Sequence, residues 1–135
     1  MRILAVDPGE KRIGLAISDP SGTIANPLTI IKHVSRSANS QTIAQIAVEH
    51  NVERIIVGQA LDTENQPTSQ ARRAARLATA IRSQTDIPVE LWDESCSTQT
   101  AQEALITLGI SRSKRRFLDD IAATVILQSY LDAHR

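Results

Sequence analysis

The sequence predicts an α/β protein in which a five-stranded mixed sheet is flanked by helices. Two observations predict this class. Short apolar runs bounded by turn residues fill the first third of the chain, and further short runs then alternate with segments in which apolar residues recur at helical spacing. With 135 residues, 41% of them apolar, the chain fits one domain, residues 1–135, with an aliphatic core.

The first third predicts a three-stranded β-meander. Residues 3–6 form a continuous apolar run that ends at Asp7, which is typical of a central strand buried on both faces and followed by a turn. Residues 12–18 predict a second strand. Residues 23–32 predict a third strand near an edge of the sheet, because Pro27 cannot donate a hydrogen bond to a neighbouring strand.

Helices and strands alternate in the rest of the chain. The spacing of apolar residues and the caps define each element. The predicted elements are a helix capped by Ser40 and ended at Asn51, a strand over 54–57, an alanine-rich helix after Pro67, a strand over 89–92, a helix capped by Ser97 and stopped by Gly109, and a last helix over 121–131.

Composition excludes several classes of function. Fifteen basic residues balance fifteen acidic ones, so only local clusters can attract a polyanion. One Trp, one Tyr and one Phe are too few for a surface that stacks bases. Cys96 is the only cysteine, which excludes an internal disulfide and a multi-cysteine zinc site. The apolar run before Asp7 is too short for a signal peptide or a membrane span, so we expect a cytoplasmic protein without membrane contact.

The segment from Asp7 to Gly14 is the first candidate site. It places a carboxylate where a central strand ends, with Gly9 freeing the backbone for a tight turn and Gly14 allowing close approach of a ligand. The bare spacing is equally consistent with a structural turn. A similar turn surrounds phosphates in ATPases that enclose a nucleotide between duplicated domains, and this chain has room for one domain.

Two further acidic clusters follow. Asp93 and Glu94 lie at the end of a predicted strand, where adjacent side chains point to opposite faces, so only one can face Asp7. Asp119 and Asp120 lie at the start of the last helix, where simple helix capping is the competing interpretation. Carboxylates that converge from such positions are typical ligands of Mg²⁺.

Four motifs then resemble the YqgF/RuvX family, in the family's order and across essentially the whole chain. They begin at Val6, Ile55, Trp92 and Asp119 and read Val-Asp-Pro-Gly-Glu-Lys-Arg-Ile-Gly, Ile-Ile-Val-Gly, Trp-Asp-Glu-Ser-Cys-Ser-Thr and Asp-Asp-Ile-Ala-Ala-Thr-Val-Ile-Leu-Gln-Ser-Tyr-Leu. The resemblance implies a ribonuclease H-like fold and a metal-dependent nuclease, a hydrolase of phosphodiester bonds that matures the 5′ end of pre-16S rRNA in ribosome biogenesis. Related proteins have been proposed as Holliday-junction resolvases.

The resemblance carries the family's three acidic positions to Asp7, Glu94 and Asp119. These are the expected catalytic residues and the ligands of Mg²⁺ or Mn²⁺, in a two-metal site. Substrate phosphates are expected to contact basic side chains. The candidates are Lys11, Arg72, Arg112 and Arg115.

The sequence departs from the family in two places. Ser95 stands where an arginine usually follows the glutamate, and residues 58–62 read Gly-Gln-Ala-Leu-Asp where the family more often has Gly-Leu-Pro. These changes keep a non-catalytic nucleic-acid-binding or ribosome-assembly module open as an alternative. The substrate is expected to be structured RNA or branched DNA, and the protein a monomer or a homodimer.

Overall fold

The computed structural model describes residues 1–60, 66, 68–93 and 116–134, with 116–120 described in the backbone alone. The predicted helix between Ser97 and Gly109 lies outside these ranges. The described elements are β1 Ile3–Pro8, β2 Arg12–Ser18, β3 Ala25–Lys32, α1 Arg36–Glu49, β4 Arg54–Gln59, α2 Ser69–Arg82, β5 Val89–Asp93 and α3 Arg116–Ala133.

The five strands form one mixed sheet in the order β3-β2-β1-β4-β5. β1 is central, antiparallel to β2 and parallel to β4, while β5 is parallel to β4. The antiparallel pairs β1–β2 and β2–β3 are the predicted meander. The predicted class, the central position of β1 and the edge position of β3 are therefore confirmed, although β3 begins at Ala25 rather than at residue 23.

The two faces of the sheet carry different helices. Leu4 and Val6 of β1 point to the face covered by α1 and α2, which we call the two-helix face. Ile3 and Ala5 point to the face against which α3 packs, which we call the one-helix face. This assignment follows from the two-residue period of a strand, which a register shift opposite Leu15 and Ala16 interrupts in β3.

The first helix begins earlier than the sequence predicts. Its N-cap is Ser35, whose extended backbone leads into the helix and whose hydroxyl accepts a hydrogen bond of 3.1 Å from the Ala38 amide. The assignment of Ser40 as the cap is wrong: that residue is buried inside α1, and its hydroxyl donates to the carbonyl of Ser37. A serine hydroxyl can bond a backbone group of the preceding turn, so its presence does not mark the helix start by itself.

The C-terminal half of α3 is fixed to the sheet at the amino end of β1. The Gln128 side chain accepts from the Ala25 amide at 2.9 Å and donates to the Thr23 carbonyl at 3.2 Å. The Tyr130 hydroxyl accepts from Arg54 at 2.8 Å. In the part of the chain that the structure describes, no helix is both long and apolar enough to cross a membrane.

Candidate functional site

Asp7 lies at the carboxyl end of the central strand, half-buried, on the one-helix face. Its partner on β2 is Gly14. On the other side Val6 pairs with Val57, so the next position in that register is Gly58. The carboxylate is therefore flanked on both neighbouring strands by residues without side chains. Both glycines are buried, and the sequence motif identified Gly14 but not Gly58 as a neighbour of Asp7.

The turn after Asp7 requires glycine at position 9. A Cβ placed on Gly9 would lie 2.2 Å from the carbonyl oxygen of Arg12, far inside any contact distance that real atoms adopt. The absence of a side chain lets β1 reverse into β2 within a few residues. The turn thus fixes Arg12 relative to Asp7.

The C-terminal half of α3 lies at the amino end of β1. Gln128 contacts Ala25, which pairs with Ser18, and the Ser18 hydroxyl accepts from the Ile3 amide. From Ile3 to Asp7 the strand rises about 13 Å. From residue 128 back to residue 119 the helix rises about 14 Å. The helix is therefore long enough to span the distance between the amino end of β1 and Asp7.

The two carboxylates at the end of β5 are separated by strand alternation. Trp92 belongs to the cluster of the one-helix face, whereas Val89 and Leu91 belong to that of the two-helix face. Asp93 shares the alternation of Val89 and Leu91, so its position is on the face opposite Asp7. Glu94 lies outside the described residues.

The segment that follows β4 is held by the first turn of α2. The Ala60 amide donates to the Gln70 side chain at 2.7 Å, and the Thr68 hydroxyl donates to the Ala60 carbonyl at 2.6 Å. Thr68 is also the N-cap of α2. Two side chains thus fix the start of the segment in which the sequence departs from the family, although residues 61–65 themselves are not described.

The predicted phosphate contacts are distributed unevenly. Lys11 is exposed and lines an open groove beside the β1–β2 turn. Arg72 is exposed on α2, which packs on the two-helix face, so the structure does not bring it onto the face of Asp7. Arg112 and Arg115 lie outside the described ranges.

No group of three His, Cys, Asp or Glu side chains that could hold a metal occurs among the side chains that the structure describes. Two of the three predicted ligands, Glu94 and Asp119, are not among those side chains. His33 lies with its Nδ1 2.8 Å from the Asn39 amide nitrogen.

Residues 1–133 match the RuvX family, described as Holliday junction resolvase. A protein of Desulforamulus reducens is 39% identical over 98% of each chain. A protein of Thermoanaerobacter pseudethanolicus is 42% identical, covering 100% of this chain and 99% of its own. Both relatives are provisionally named as pre-16S rRNA nucleases.

Solved structures share the fold at low sequence identity. Thermus thermophilus RuvC in complex with a Holliday junction superposes with a TM-score of 0.61 at 15% identity, covering 99% of this chain and 95% of that one. Fowlpox virus resolvase, in complex with Holliday junction DNA, superposes with a TM-score of 0.58 at 14% identity, covering 99% of each chain. The ribonuclease H-like fold predicted from the sequence is thereby confirmed.

Proposed function

Because the chain belongs to the RuvX family of Holliday junction resolvases and is therefore a nuclease, we propose that it cleaves precursor 16S rRNA with divalent metal held by carboxylates. The products would enter ribosome assembly, which would place the protein in the cytoplasm. The proposed metal ligands and catalytic residues are Asp7, Glu94 and Asp119.

One observation carries this proposal. Asp7 is a half-buried carboxylate at the carboxyl end of the central strand, between Gly14 and Gly58, on the face against which α3 packs. A carboxylate at a strand end, with no side chain on either neighbouring position, suits an ion that keeps several ligand positions for water and phosphate.

The donor set fits magnesium or manganese. Hard divalent cations prefer carboxylate oxygens, and the three proposed ligands are all carboxylates. Asp93 lies on the face opposite Asp7 and is not proposed as a ligand, and Glu94 is proposed from the family resemblance. When bound, two such ions supply an activated water and stabilise the leaving oxygen of a phosphodiester.

The residues of the chain position these groups. Gly14 and Gly58 place no side chain beside Asp7 on either neighbouring strand. Gly9 fixes the turn that follows Asp7. The Gln128 hydrogen bonds at the far end of α3 hold that helix against the sheet and thereby set the height of its first turn. Fixed geometry of this kind supplies much of the advantage of a metal site.

RNA is the proposed substrate because relatives 39% and 42% identical are named for it, whereas the likeness to DNA resolvases at 14–15% identity concerns the fold. A junction resolvase cuts two strands and needs two sites, hence a dimer, whereas a monomer suffices to trim the end of an RNA. A non-catalytic assembly module is the third candidate, since Ser95 replaces the arginine that usually follows the glutamate.

The test is cleavage of end-labelled precursor 16S rRNA and of a four-way DNA junction by wild type, Asp7→Asn and Asp119→Asn. Assays contain Mg²⁺, Mn²⁺ or a chelator. The matched control is Asp93→Asn, which removes the same charge from the opposite face. We expect metal-dependent cleavage of the RNA, a loss of about 1000-fold in both site variants, and activity close to wild type in Asp93→Asn.

Other outcomes discriminate between the candidates. Cleavage of the junction in preference to RNA, by a protein that is dimeric in solution, would favour the resolvase. Tight RNA binding with no cleavage under either ion would favour the assembly module. Equal losses in Asp93→Asn and Asp7→Asn would show that charge or folding, rather than one face of the sheet, controls activity, and would contradict the proposed site.

A further inference from the structure

Two like charges lie directly opposite each other beside the site. Arg12, the first residue of β2, pairs with Lys32, the last residue of β3, and both side chains are exposed. Like charges at directly opposed positions of an antiparallel pair destabilise the sheet. The chain is neutral overall and contains fifteen acidic residues, yet basic residues occupy both positions of this pair at a corner of the sheet.

This pair lies on the face of Asp7. On β2, Ile13 and Leu15 point to the two-helix face, so Arg12 and Gly14 point to the other face, and Lys32 follows the same alternation from Ile31. Gly14 is the direct partner of Asp7, and Arg12 lies two residues beyond it, about 7 Å along the strand. On the one-helix face, Arg12 and Lys32 therefore form the row next to the one that contains Gly14 and Asp7.

A groove connects the cations. Its volume is about 600 Å³, within the range of sites that hold a nucleotide-sized ligand. Six residues line it: Glu10, Lys11, Arg12, Ile30, Lys32 and His33. Glu10 is the acidic residue among these six, and its carboxylate forms an ion pair of 3.3 Å with Arg73 of α2.

The groove's cations are not neutralised by the described protein. The ion pairs in the described ranges are Arg54–Glu90 and Arg73–Glu10. Lys11, Arg12 and Lys32 take part in neither. A cluster of cations without counter-charges attracts an anion more strongly than isolated surface lysines, since its members act on the same phosphate.

Protection of a sheet edge does not account for the pair. Exposed lysines on edge strands discourage pairing with another sheet, and Lys32 on the edge strand β3 alone would serve that purpose. Arg12 lies on β2, which is paired on both sides. Its charge, opposite another cation, requires a different explanation.

We propose that Arg12 and Lys32, with Lys11 beside them, bind a backbone phosphate of the RNA strand next to the phosphate that is cleaved. Arg12 and Lys32 form the row next to the one that joins Ile30, Gly14 and Asp7, so the strand would run from the exposed groove toward Asp7. This inference rests on the proposed function, since it takes Asp7 as the reacting end of the groove. The contact is with phosphate, so it is independent of base sequence.

The test is the salt dependence of RNA binding, measured in chelator so that no cleavage occurs. The probes are a labelled precursor 16S 5′ leader and an RNA of scrambled sequence. The double variant Arg12→Gln/Lys32→Gln should reduce the slope of log K against log salt by about 1.4, about 0.7 for each lost single-strand contact, for both RNAs. The matched control is Arg76→Gln, an exposed cation of α2 on the two-helix face, which should keep the wild-type slope.

Thermal stability separates binding from folding. Because the double variant removes a like-charge pair, its unliganded Tm should equal or exceed that of wild type while its affinity falls. The charge-conserving variant Arg12→Lys/Lys32→Arg should retain the wild-type slope. An unchanged slope in the double variant, or an equal reduction of the slope in Arg76→Gln, would contradict the proposal that the groove binds a backbone phosphate.

Failure of the groove and failure of the nuclease proposal give different results. If the wild type cleaves RNA with metal and the double variant binds RNA with an unchanged salt slope, the phosphate-binding proposal is wrong and the proposed site at Asp7 stands. If the wild type cleaves neither substrate, the nuclease assignment fails whatever the slope.

Discussion

The central strand β1 presents different residues to the two faces of the sheet, and helices cover both faces. On the two-helix face β1 presents Leu4 and Val6 to bulky partners such as Ile43 of α1 and Leu77 of α2. On the one-helix face β1 presents Ala5, which pairs with Ala16 of β2 beneath α3. Both sets are buried, and the residue that precedes Asp7 on its own face of β1, Ala5, is small.

The difference shows how a core can position a site. Small residues let a helix approach a sheet closely, and on the one-helix face they lie directly before Asp7 along β1. Ala5 and Ala16 lie beneath α3, the helix that includes residue 119. On the two-helix face β1 presents the larger side chains Leu4 and Val6, which exclude water from the core. Strand alternation gives both functions to sequence neighbours, Val6 and Asp7.

The largest expected effect tests whether both faces are equally packed. Ile55 and Ile56 are adjacent on β4, fully buried, and point to opposite faces. Ile55→Ala and Ile56→Ala should each lower the free energy of unfolding by about 2–5 kcal/mol. Denaturant titration of the two variants measures this. A loss below about 1 kcal/mol for Ile56→Ala alone would show that α3 packs loosely, and the comparison of the faces would fail.

The next effect tests the close approach of α3. Ala16→Val adds two methyl groups beneath that helix and should cost about 1–3 kcal/mol through overpacking. It should also lower RNA cleavage by about tenfold or more, because the first turn of α3 moves away from Asp7. The matched control is Ala74→Val, the same change at a fully buried alanine of α2. It should destabilise similarly and leave cleavage per folded molecule unchanged, when both are assayed well below their Tm values.

The fold was largely predictable because its signals are local. The apolar run before Asp7 predicts a strand buried on both faces, and β1 is the central strand. Pro27 predicts an edge, and β3 is an edge strand. The predicted start of α1 was wrong because Ser35 and Ser40 are both plausible N-caps in the sequence. Only the extended backbone conformation at Ser35 distinguishes them.

The site was predictable in part. Asp7 and Gly14 were found from one motif, since they share a hairpin. Gly58 was missed as a neighbour of Asp7, because parallel pairing of β1 with β4 joins residues about fifty positions apart. The Arg12–Lys32 pair was missed for a related reason: its meaning depends on the register of two strands, which no short motif specifies. The assignments of Glu94, Asp119, Arg112 and Arg115 remain predictions.

A smaller effect tests the anchored end of α3. The buried Tyr130 hydroxyl accepts from Arg54 at 2.8 Å, so Tyr130→Phe should cost about 1 kcal/mol. Burial, with the nearby Glu90 carboxylate, raises the pKa of Tyr130 above its ordinary value. The stabilisation by the neutral phenol is therefore complete below about pH 10 and is lost as the pH rises toward the raised pKa. Tm measured across this range should fall less steeply for the variant, and parallel curves would contradict the assignment.

The smallest effect concerns the turn that leads into β3 at this same anchored end. The Asp19 carboxylate accepts from the Ile24 amide at 2.9 Å, from the Ser21 hydroxyl, and from the Thr23 amide at 2.8 Å, and these bonds hold the pKa of Asp19 well below its usual range. A depressed pKa in the folded state means that the stabilisation is present above about pH 4 and is lost as the pH falls below it.

Asp19→Asn should therefore lower Tm modestly at neutral pH, and the difference from wild type should shrink in acid. Thermal melts of both proteins from neutral pH into acid measure it. Cleavage at neutral pH should be unaffected, because this turn lies beside Ile3, at the opposite end of β1 from Asp7. A Tm difference that stays constant into acid would mean that the shape of the turn, rather than its charge, holds the start of β3 against Gln128. A loss of cleavage without a loss of Tm would mean that the anchored end of the one-helix face is coupled to its functional end.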